Sequence, residues 1–311
     1  MSLIEYDLFG QKRDKVQTAI DRLRTFEPED GYYVADSGGK DSSCVVKLCE
    51  MAGVKFDAHY NATTIDPPQL VRFIRQHHPE TEIEKPEYTM RELIVKKQMP
   101  PTRLMRYCCQ HLKELHGQGR VVVTGVRWAE SGNRKNNQGL VTFATASKEL
   151  NNTADLSGAE PKRTSKGGLI LNTDNDESRR MVEMCYRTHK TLVNPIIDWT
   201  DEDVWEFVRL YNVPYCELYD CGFKRLGCVA CPLGGSASMQ RELEFFPQFK
   251  KFYIRTFDEM LDARRKAGKS INRHWTDGES VLRWWVGKGG ESKDELQLEI
   301  FDETEEMTDE M

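Results

Sequence analysis

No apolar run in this chain approaches the roughly 20 residues of a membrane span, so no transmembrane helix and no membrane partner are expected. The start, MSLIEYDLFGQKRDK, lacks the apolar block of a secretory signal, which points to the cytoplasm. An excess of positive charge is also missing. The 44 Lys and Arg against 50 Asp and Glu leave a formal net charge of −6, which argues against a strongly basic nucleic-acid clamp and leaves room for a local basic site. No internal repeat is visible, and residues 232–311 contain no cysteine. Nine cysteines lie upstream. Disulfides are rare in the cytoplasm, so these thiols need another account: core packing, metal or catalysis. At 311 residues, 39% hydrophobic and 30% charged, the chain fits one large α/β domain with additions, or two domains with a sizeable core.

What is present is organised around Tyr32–Ala52, YYVADSGGKDSSCVVKLCEMA. Tyr32-Tyr33-Val34-Ala35 reads as a buried strand. Ser37-Gly38-Gly39-Lys40-Asp41-Ser42 reads as a tight turn. Val45, Val46, Leu48 and Cys49 form a helical stripe that stops at Gly53. Strand, glycine turn and helix together cradle phosphate. Adjacent glycines let backbone N–H groups converge, and the helix start adds unpaired donors with a partial positive charge. Ser37 and Ser42 can add hydroxyls and Lys40 a cation. It is not a Walker loop, because Asp41 follows Gly39-Lys40 and Val34 stands where the first Walker glycine belongs. Asp36, an acid immediately before a phosphate loop, has no explanation at this level.

Residues 12–25 are expected as a helical lead-in, with Val16, Ile20 and Leu23 on one side. Val54–Tyr60 is expected as a strand. Asp66 is expected to cap a helix that has Pro67 in its first turn, and a further strand and helix fall around 82–97. Arg120-Val-Val-Val-Thr124 is the clearest later strand. This alternation implies a doubly wound parallel sheet with ligands at the carboxyl ends of its strands. The stretch 136–180 is polar and reads as an insertion, with a hairpin around Gly168–Asn172. Thr200 and Asp203 have capping-box spacing ahead of Val204, Phe207 and Val208. Residues 236–290 read as helical and 291–311 as an acidic, solvated tail.

Cys108-Cys109 opens a helix, and Cys228-Val-Ala-Cys231-Pro232 lies in a glycine-rich loop. A CxxC loop puts two thiolates on one metal, although the same spacing occurs in thioredoxin-like sites and zinc knuckles. Cys44 and Cys49 fall on the first helix and read as core. Cys185 and Cys216 are also read as core.

The Ser37–Ser42 hexapeptide resembles the SGGxDS pyrophosphate loop of the PP-loop ATP pyrophosphatases and their relatives, the sulfonucleotide (PAPS/APS) reductases. Gly125-Val-Arg127-Trp-Ala-Glu130-Ser131 with Arg134 is similar to the GxRxxES segment of that superfamily. The Pro195–Thr200 stretch and the Leu218-Tyr-Asp-Cys221-Gly-Phe stretch are also family-like. The pair Cys108-Cys109, a long interval and then CxxCP resembles the four-cysteine pattern of the [4Fe–4S] branch of the sulfonucleotide reductases, and the DNA phosphorothioation pyrophosphatases of the same superfamily carry an iron–sulfur cluster too.

The resemblance implies an adenine nucleotide alpha hydrolase-like domain at about 31–235. It implies ATP and Mg²⁺ at Ser37, Gly38, Gly39, Ser42, Gly125 and Ser131, with Lys40, Asp41, Arg127 and Arg134 as the catalytic set. It also implies a [4Fe–4S] cluster on Cys108, Cys109, Cys228 and Cys231, with zinc as the alternative metal. Adjacent cysteines reach one cluster only under strain, so Cys221 is an alternative ligand. The activity implied is cleavage of ATP between its α and β phosphates and adenylation of an acceptor, a nucleic acid or a small molecule, with a sulfur-donor protein as a further partner. Sulfonucleotide reductases carry a nucleophilic cysteine near their C-terminus, and none follows Cys231 here. A reductase reading therefore requires a relocated thiol or one supplied in trans. A third reading is a metal-bearing binding module without catalysis.

Overall fold

The computed structural model describes residues 3–6, 10–113, 116–144, 148–165 and 167–288. The acidic tail expected at 291–311 lies outside them.

In chain order the elements are β1 (Ile4–Tyr6), β2 (Lys12–Asp14), α1 (Lys15–Thr25), β3 (Tyr32–Ala35), α2 (Lys40–Ala52), β4 (Phe56–Asn61), α3 (Pro68–His77) and β5 (Glu82–Glu84). Next come α4 (Met90–Lys97), α5 (Tyr107–Leu112), β6 (Val121–Val123), α6 (Gly132–Asn137), β7 (Val141–Phe143), α7 (Lys148–Ser157), β8 (Lys162–Arg163) and β9 (Leu169–Leu171). Then follow α8 (Asp176–Cys185), β10 (Thr191–Val193), α9 (Asp201–Leu210), α10 (Ser236–Phe245), α11 (Pro247–Lys266) and α12 (Gly278–Lys288). These form two compact units that interleave in sequence. The first comprises 1–61, 68–84 and 115–226, and the second 62–67, 85–114 and 227–311.

The first unit carries an eight-stranded sheet of order β5-β4-β3-β6-β10-β7-β9-β8. β5, β4, β3, β6 and β10 run parallel, while β7, β9 and β8 are antiparallel. The sheet is thus mainly parallel, with an antiparallel edge. That edge comes from the stretch expected as an insertion. Val141, Phe143, Leu169 and Leu171 join the core that α7 and α8 also enter, through Leu150, Ala154, Met181 and Val182. Its strands are two or three residues long, too short to show a period among polar neighbours.

The expected lead-in helix starts later than residue 12. Lys12–Asp14 pairs with β1, and Asp14 caps α1 by accepting Val16 N–H at 3.0 Å. The expected capping box is present on α9, where Asp203 accepts Thr200 N–H at 2.8 Å. Asp203 also receives Lys15 Nζ at 2.7 Å. Asp66 does not cap a helix: its carboxylate accepts Thr63 N–H and Oγ1–H, each at 2.7 Å, and α3 begins only at Pro68.

From β3 the chain winds outward to β4 and β5, and on the other side β6 leads to β10. The order therefore reverses between β3 and β6. In open α/β sheets that reversal leaves a crevice beyond the carboxyl ends of the two strands. The glycine loop follows β3, and the Gly125–Arg127 segment follows β6.

In the second unit α11 packs against α4, α10 and α12. Tyr253, Phe257, Met260 and Leu261 are buried on α11, and Trp285 of α12 meets Tyr253 with ring centroids 4.8 Å apart. Trp285 Nε1–H donates to the Pro101 carbonyl at 2.6 Å. Among the described residues no helix is long and apolar enough to cross a membrane.

Candidate functional site

Asp36 explains the shape of the glycine loop. Its side chain is buried, and Oδ1 accepts Gly38 N–H at 2.9 Å and lies 3.1 Å from Ser42 Oγ. Oδ2 accepts Thr81 Oγ1–H at 3.1 Å and pairs with His78 Nδ1. The acid is therefore the floor of the loop rather than a charge beside a phosphate. Gly38 has φ +66, and a Cβ there would stand 2.7 Å from Ile74 Cγ1. Ser37 N–H donates to Ser42 Oγ at 3.1 Å, and the two hydroxyls lie 3.1 Å apart. Both serines thus shape the loop, and the donors left to face a ligand are chiefly backbone N–H groups at the start of α2.

Burial pushes the Asp36 carboxyl up, but the hydrogen bond and charge of His78 outweigh it and hold it below its ordinary 3.8. A carboxyl depressed in the fold contributes stability that is complete above the unfolded value and is lost as pH falls through the folded one. Urea midpoints measured from pH 5 downward are expected to fall for the wild type, and to fall less steeply across that window for Asp36→Asn. Parallel curves would remove Asp36 from the acid sensitivity.

Above the floor lies a cluster of four charges. Arg127, 2% exposed, places Nε 2.6 Å from Asp41 Oδ1 and Nη2 2.6 Å from Asp201 Oδ1. Lys40 Nζ lies 3.1 Å from Asp41 Oδ2 and 3.0 Å from Asp201 Oδ1. The Asp201 carboxyl, pushed up by burial, is drawn below its ordinary value by Lys40 and Arg127. Asp41 is committed to these cations rather than to a helix cap. Tyr219 Oη accepts Lys40 N–H at 2.9 Å, tying the loop to the family-like segment after α9.

Gly125 has a steric role: a Cβ there would stand 2.8 Å from the Asp41 carbonyl carbon, so only glycine lets the turn after β6 reach the start of α2. Ser131 Oγ accepts Arg134 N–H at 3.2 Å and caps α6. Arg134 pairs with Glu130 at 2.7 Å, and Glu130 also accepts Arg127 N–H at 3.0 Å. Arg134 therefore stands behind Arg127 and not inside the four-charge cluster.

The second unit by itself gathers Cys108 and Cys109 on α5 with Cys228 and Cys231 of the CxxC turn. Ala230, at φ +59, makes that turn, and its N–H donates to Glu242 at 2.6 Å. Cys228 Sγ lies 3.4 Å from Thr63 Oγ1. A hydrogen bond shared with Cys108 draws the Cys109 thiol down, helped by Arg106 and Lys113, and pushes Cys108 up. Lys113 also bonds Cys228. Two cations beside four thiols match the excess negative charge of a thiolate-ligated centre. Cys221 is exposed and belongs to the first unit. Cys44, Cys49, Cys185 and Cys216 are buried, and burial raises each thiol.

Asp201, Tyr219, His78, Arg106 and Lys113 were not singled out by sequence reasoning. Tyr219 stands in a stretch that does resemble the family, which was a usable signal. Asp201 sits beside the capping residue Thr200, where a helix-start acid needs no further reason.

The fold is a mainly parallel α/β sheet with a glycine loop at its switch point. The chain belongs to the phosphoadenosine phosphosulfate reductase domain family, whose model matches residues 31–233. An uncharacterized protein of Methanocaldococcus jannaschii is 38% identical over 74 residues, 24% of this chain and 16% of that protein. The adenosine 5'-phosphosulfate reductase of Oceanobacillus iheyensis is 36% identical over 58 residues, 19% of this chain and 20% of that enzyme. The chain thus matches a fifth or less of the length of these relatives. The crystal structure of a phosphoadenylyl-sulfate (PAPS) reductase from Candida auris, a phosphate complex, aligns with 68% of this chain and 88% of that one, with a TM-score of 0.41 and 18% identity.

Proposed function

We propose that the chain is an iron–sulfur ATP pyrophosphatase that adenylates an acceptor, in preparation for sulfur transfer. The observation that carries this is the Lys40–Asp41–Arg127–Asp201 cluster, set at the start of α2 beside a glycine loop. It holds two buried cations, poised by two carboxylates, beside the first turn of the helix that follows the loop. In the reaction the acceptor oxygen bonds to the α-phosphorus. The bond from that phosphorus to the bridging oxygen breaks, pyrophosphate leaves with the electron pair, and the acceptor's proton passes to water. Such chemistry is mostly positioning and charge neutralisation. Backbone N–H groups of Gly39, Asp41 and Ser42 hold pyrophosphate oxygens, while that of Lys40 stays with Tyr219. Lys40 and Arg127 neutralise the charge that develops on the leaving group, and Arg134 supports Arg127 through Glu130. Mg²⁺ supplies further neutralisation when bound, and Asp41 and Asp201 are the carboxylates that would hold it. Cys108, Cys109, Cys228 and Cys231 would hold a [4Fe–4S] cluster, which supplies an iron–sulfide centre for the sulfur step.

One observation favours sulfonucleotide reduction as a second reading. Cys221 is exposed and follows by two residues the tyrosine that bonds the phosphate loop. A nucleotide panel separates the two. With Mg²⁺ and ATP the protein is expected to release AMP and pyrophosphate, slowly as hydrolysis and faster with its acceptor. With APS or PAPS and thioredoxin no sulfite is expected. Sulfite together with a sulfonate adduct on Cys221 would establish the reductase instead. Anaerobic protein is expected to contain about four irons per chain. Cys228→Ser should lose them and Cys221→Ser should keep them; iron lost from Cys221→Ser alone would put the cluster on a different ligand set.

A further inference from the structure

Beyond the nucleotide loop, the edge of the first unit's sheet carries a group of side chains that the reaction does not use. His59 of β4 pairs in register with Glu82 of β5, and Asn61 with Glu84. Residues two apart on a strand share a face, so Asp57, His59, Asn61, Glu82 and Glu84 stand together. His59 Nε2 is hydrogen-bonded to Asp57, and Arg120 grips that carboxylate with two contacts of 2.6 Å. The His59 ring lies flat on Tyr33, with centroids 4.1 Å apart and planes 4° from parallel. The stacking and the Asp57 contact hold the plane of the ring, with Nδ1 turned to the glutamates of β5.

That nitrogen faces two more carboxylates. Nδ1 lies 3.1 Å from Glu84 Oε1 and 3.7 Å from Glu82 Oε2, and His116 Nδ1 lies 3.8 Å from Glu84 Oε2. Two carboxylates converge on one nitrogen, and a cation between them would relieve their mutual repulsion. Arg120 does not meet the need, since it is spent on Asp57. The spacing suits a metal. At metal–donor distances of about 2.0–2.2 Å, adjacent donors stand about 3 Å apart around an octahedral ion and about 3.4 Å apart around a tetrahedral one. Tyr33 lies buried on this face, with the Asn61 side chain hydrogen-bonded to its hydroxyl. The charges acting on Tyr33 are those of Glu84, Asp57 and Glu82.

We propose that His59, Glu82 and Glu84, with His116 at the rim, form a binding site for a first-row divalent cation. Asp57 and Arg120 are its positioning residues. A mixed imidazole and carboxylate set suits zinc, manganese or iron(II) better than calcium or magnesium. The ion would tie the edge strand β5 to the segment that carries His116.

The test is manganese binding by the full chain without nucleotide, followed by electron paramagnetic resonance. Mn²⁺ is the probe because it prefers oxygen and imidazole to thiolate, which keeps the cysteine group silent. One tightly bound Mn²⁺ per chain is expected, with nitrogen coupling from histidine. Glu84→Gln is expected to remove that binding, and Asp57→Asn to weaken it about 10–100-fold, as loss of a ligand's orienting partner does. Asp41→Asn should bind as the wild type does, which excludes the carboxylates of the phosphate loop. If Glu84→Gln does not fold, Glu82→Gln, at an exposed position, carries the same test. No saturable binding by the wild type, no nitrogen coupling, or equal affinity in a folded glutamine variant would each overturn the proposal.

Discussion

Gly39→Val is expected to abolish ATP binding while the fold survives. Gly39 has ordinary extended backbone, φ −81 and ψ 158, and a Cβ there would meet only Ser37 Oγ and Tyr219 Oη, both at 3.4 Å. A Cβ is accommodated in the free protein, and the poorer capping of α2 costs about 1 kcal/mol. What a side chain would obstruct is the approach of phosphate to the first-turn N–H groups. Gly38→Val is the opposite case. It combines a left-handed φ, costing about 1–2 kcal/mol for an L-residue, with collision against Ile74 and Leu70, costing about 1–3 more. Calorimetry with ATP and urea denaturation on both variants should separate them: Gly39→Val stable and non-binding, Gly38→Val destabilised. Unchanged ATP affinity in folded Gly39→Val would remove the phosphate-loop assignment.

Arg127→Ala is expected to lower kcat/KM for pyrophosphate release by about 10²–10³, the scale for removing one preorganised group from a developing charge. Arg127→Lys should rescue little of it. The guanidinium bridges Asp41 and Asp201 through two different nitrogens while Nη1 bonds the Trp199 carbonyl, and an ammonium cannot span those three partners. Asp201→Asn should cost less, since it loosens the two cations without removing either. An Arg127→Ala enzyme as fast as the wild type would take the cluster out of the reaction.

These expectations draw on residues that were unequally visible in the chain. Ser37–Ser42 and α2 were legible because they are local: a four-residue apolar strand, two glycines, and a 3.6-residue stripe ended by Gly53 in left-handed conformation. Arg127 and the cysteines were found through resemblance. Asp36 stood out only as an anomaly. Its explanation lies in His78 and Thr81, 42 and 45 residues away. Asp201 lies 161 residues from Lys40 and looks in sequence like any acid at a helix start. Gly125 was read as a ligand contact, and its place beside Asp41 adds a steric reason that no local window shows.

The sequence alone determined the alternation that makes the sheet mainly parallel, the helix boundaries set by Gly53 and the Thr200–Asp203 box, and the loop that follows β3. All of these follow from periodicity and capping within a few residues. Tertiary structure alone decided that 136–180 completes the sheet edge, that Asp36 lies beneath the loop, and that Cys108 and Cys109 group with Cys228 and Cys231 in a unit that excludes Cys221. Strand order and charge pairing depend on which distant segments bury against each other, and burial is a property of the packed chain, not of any window along it.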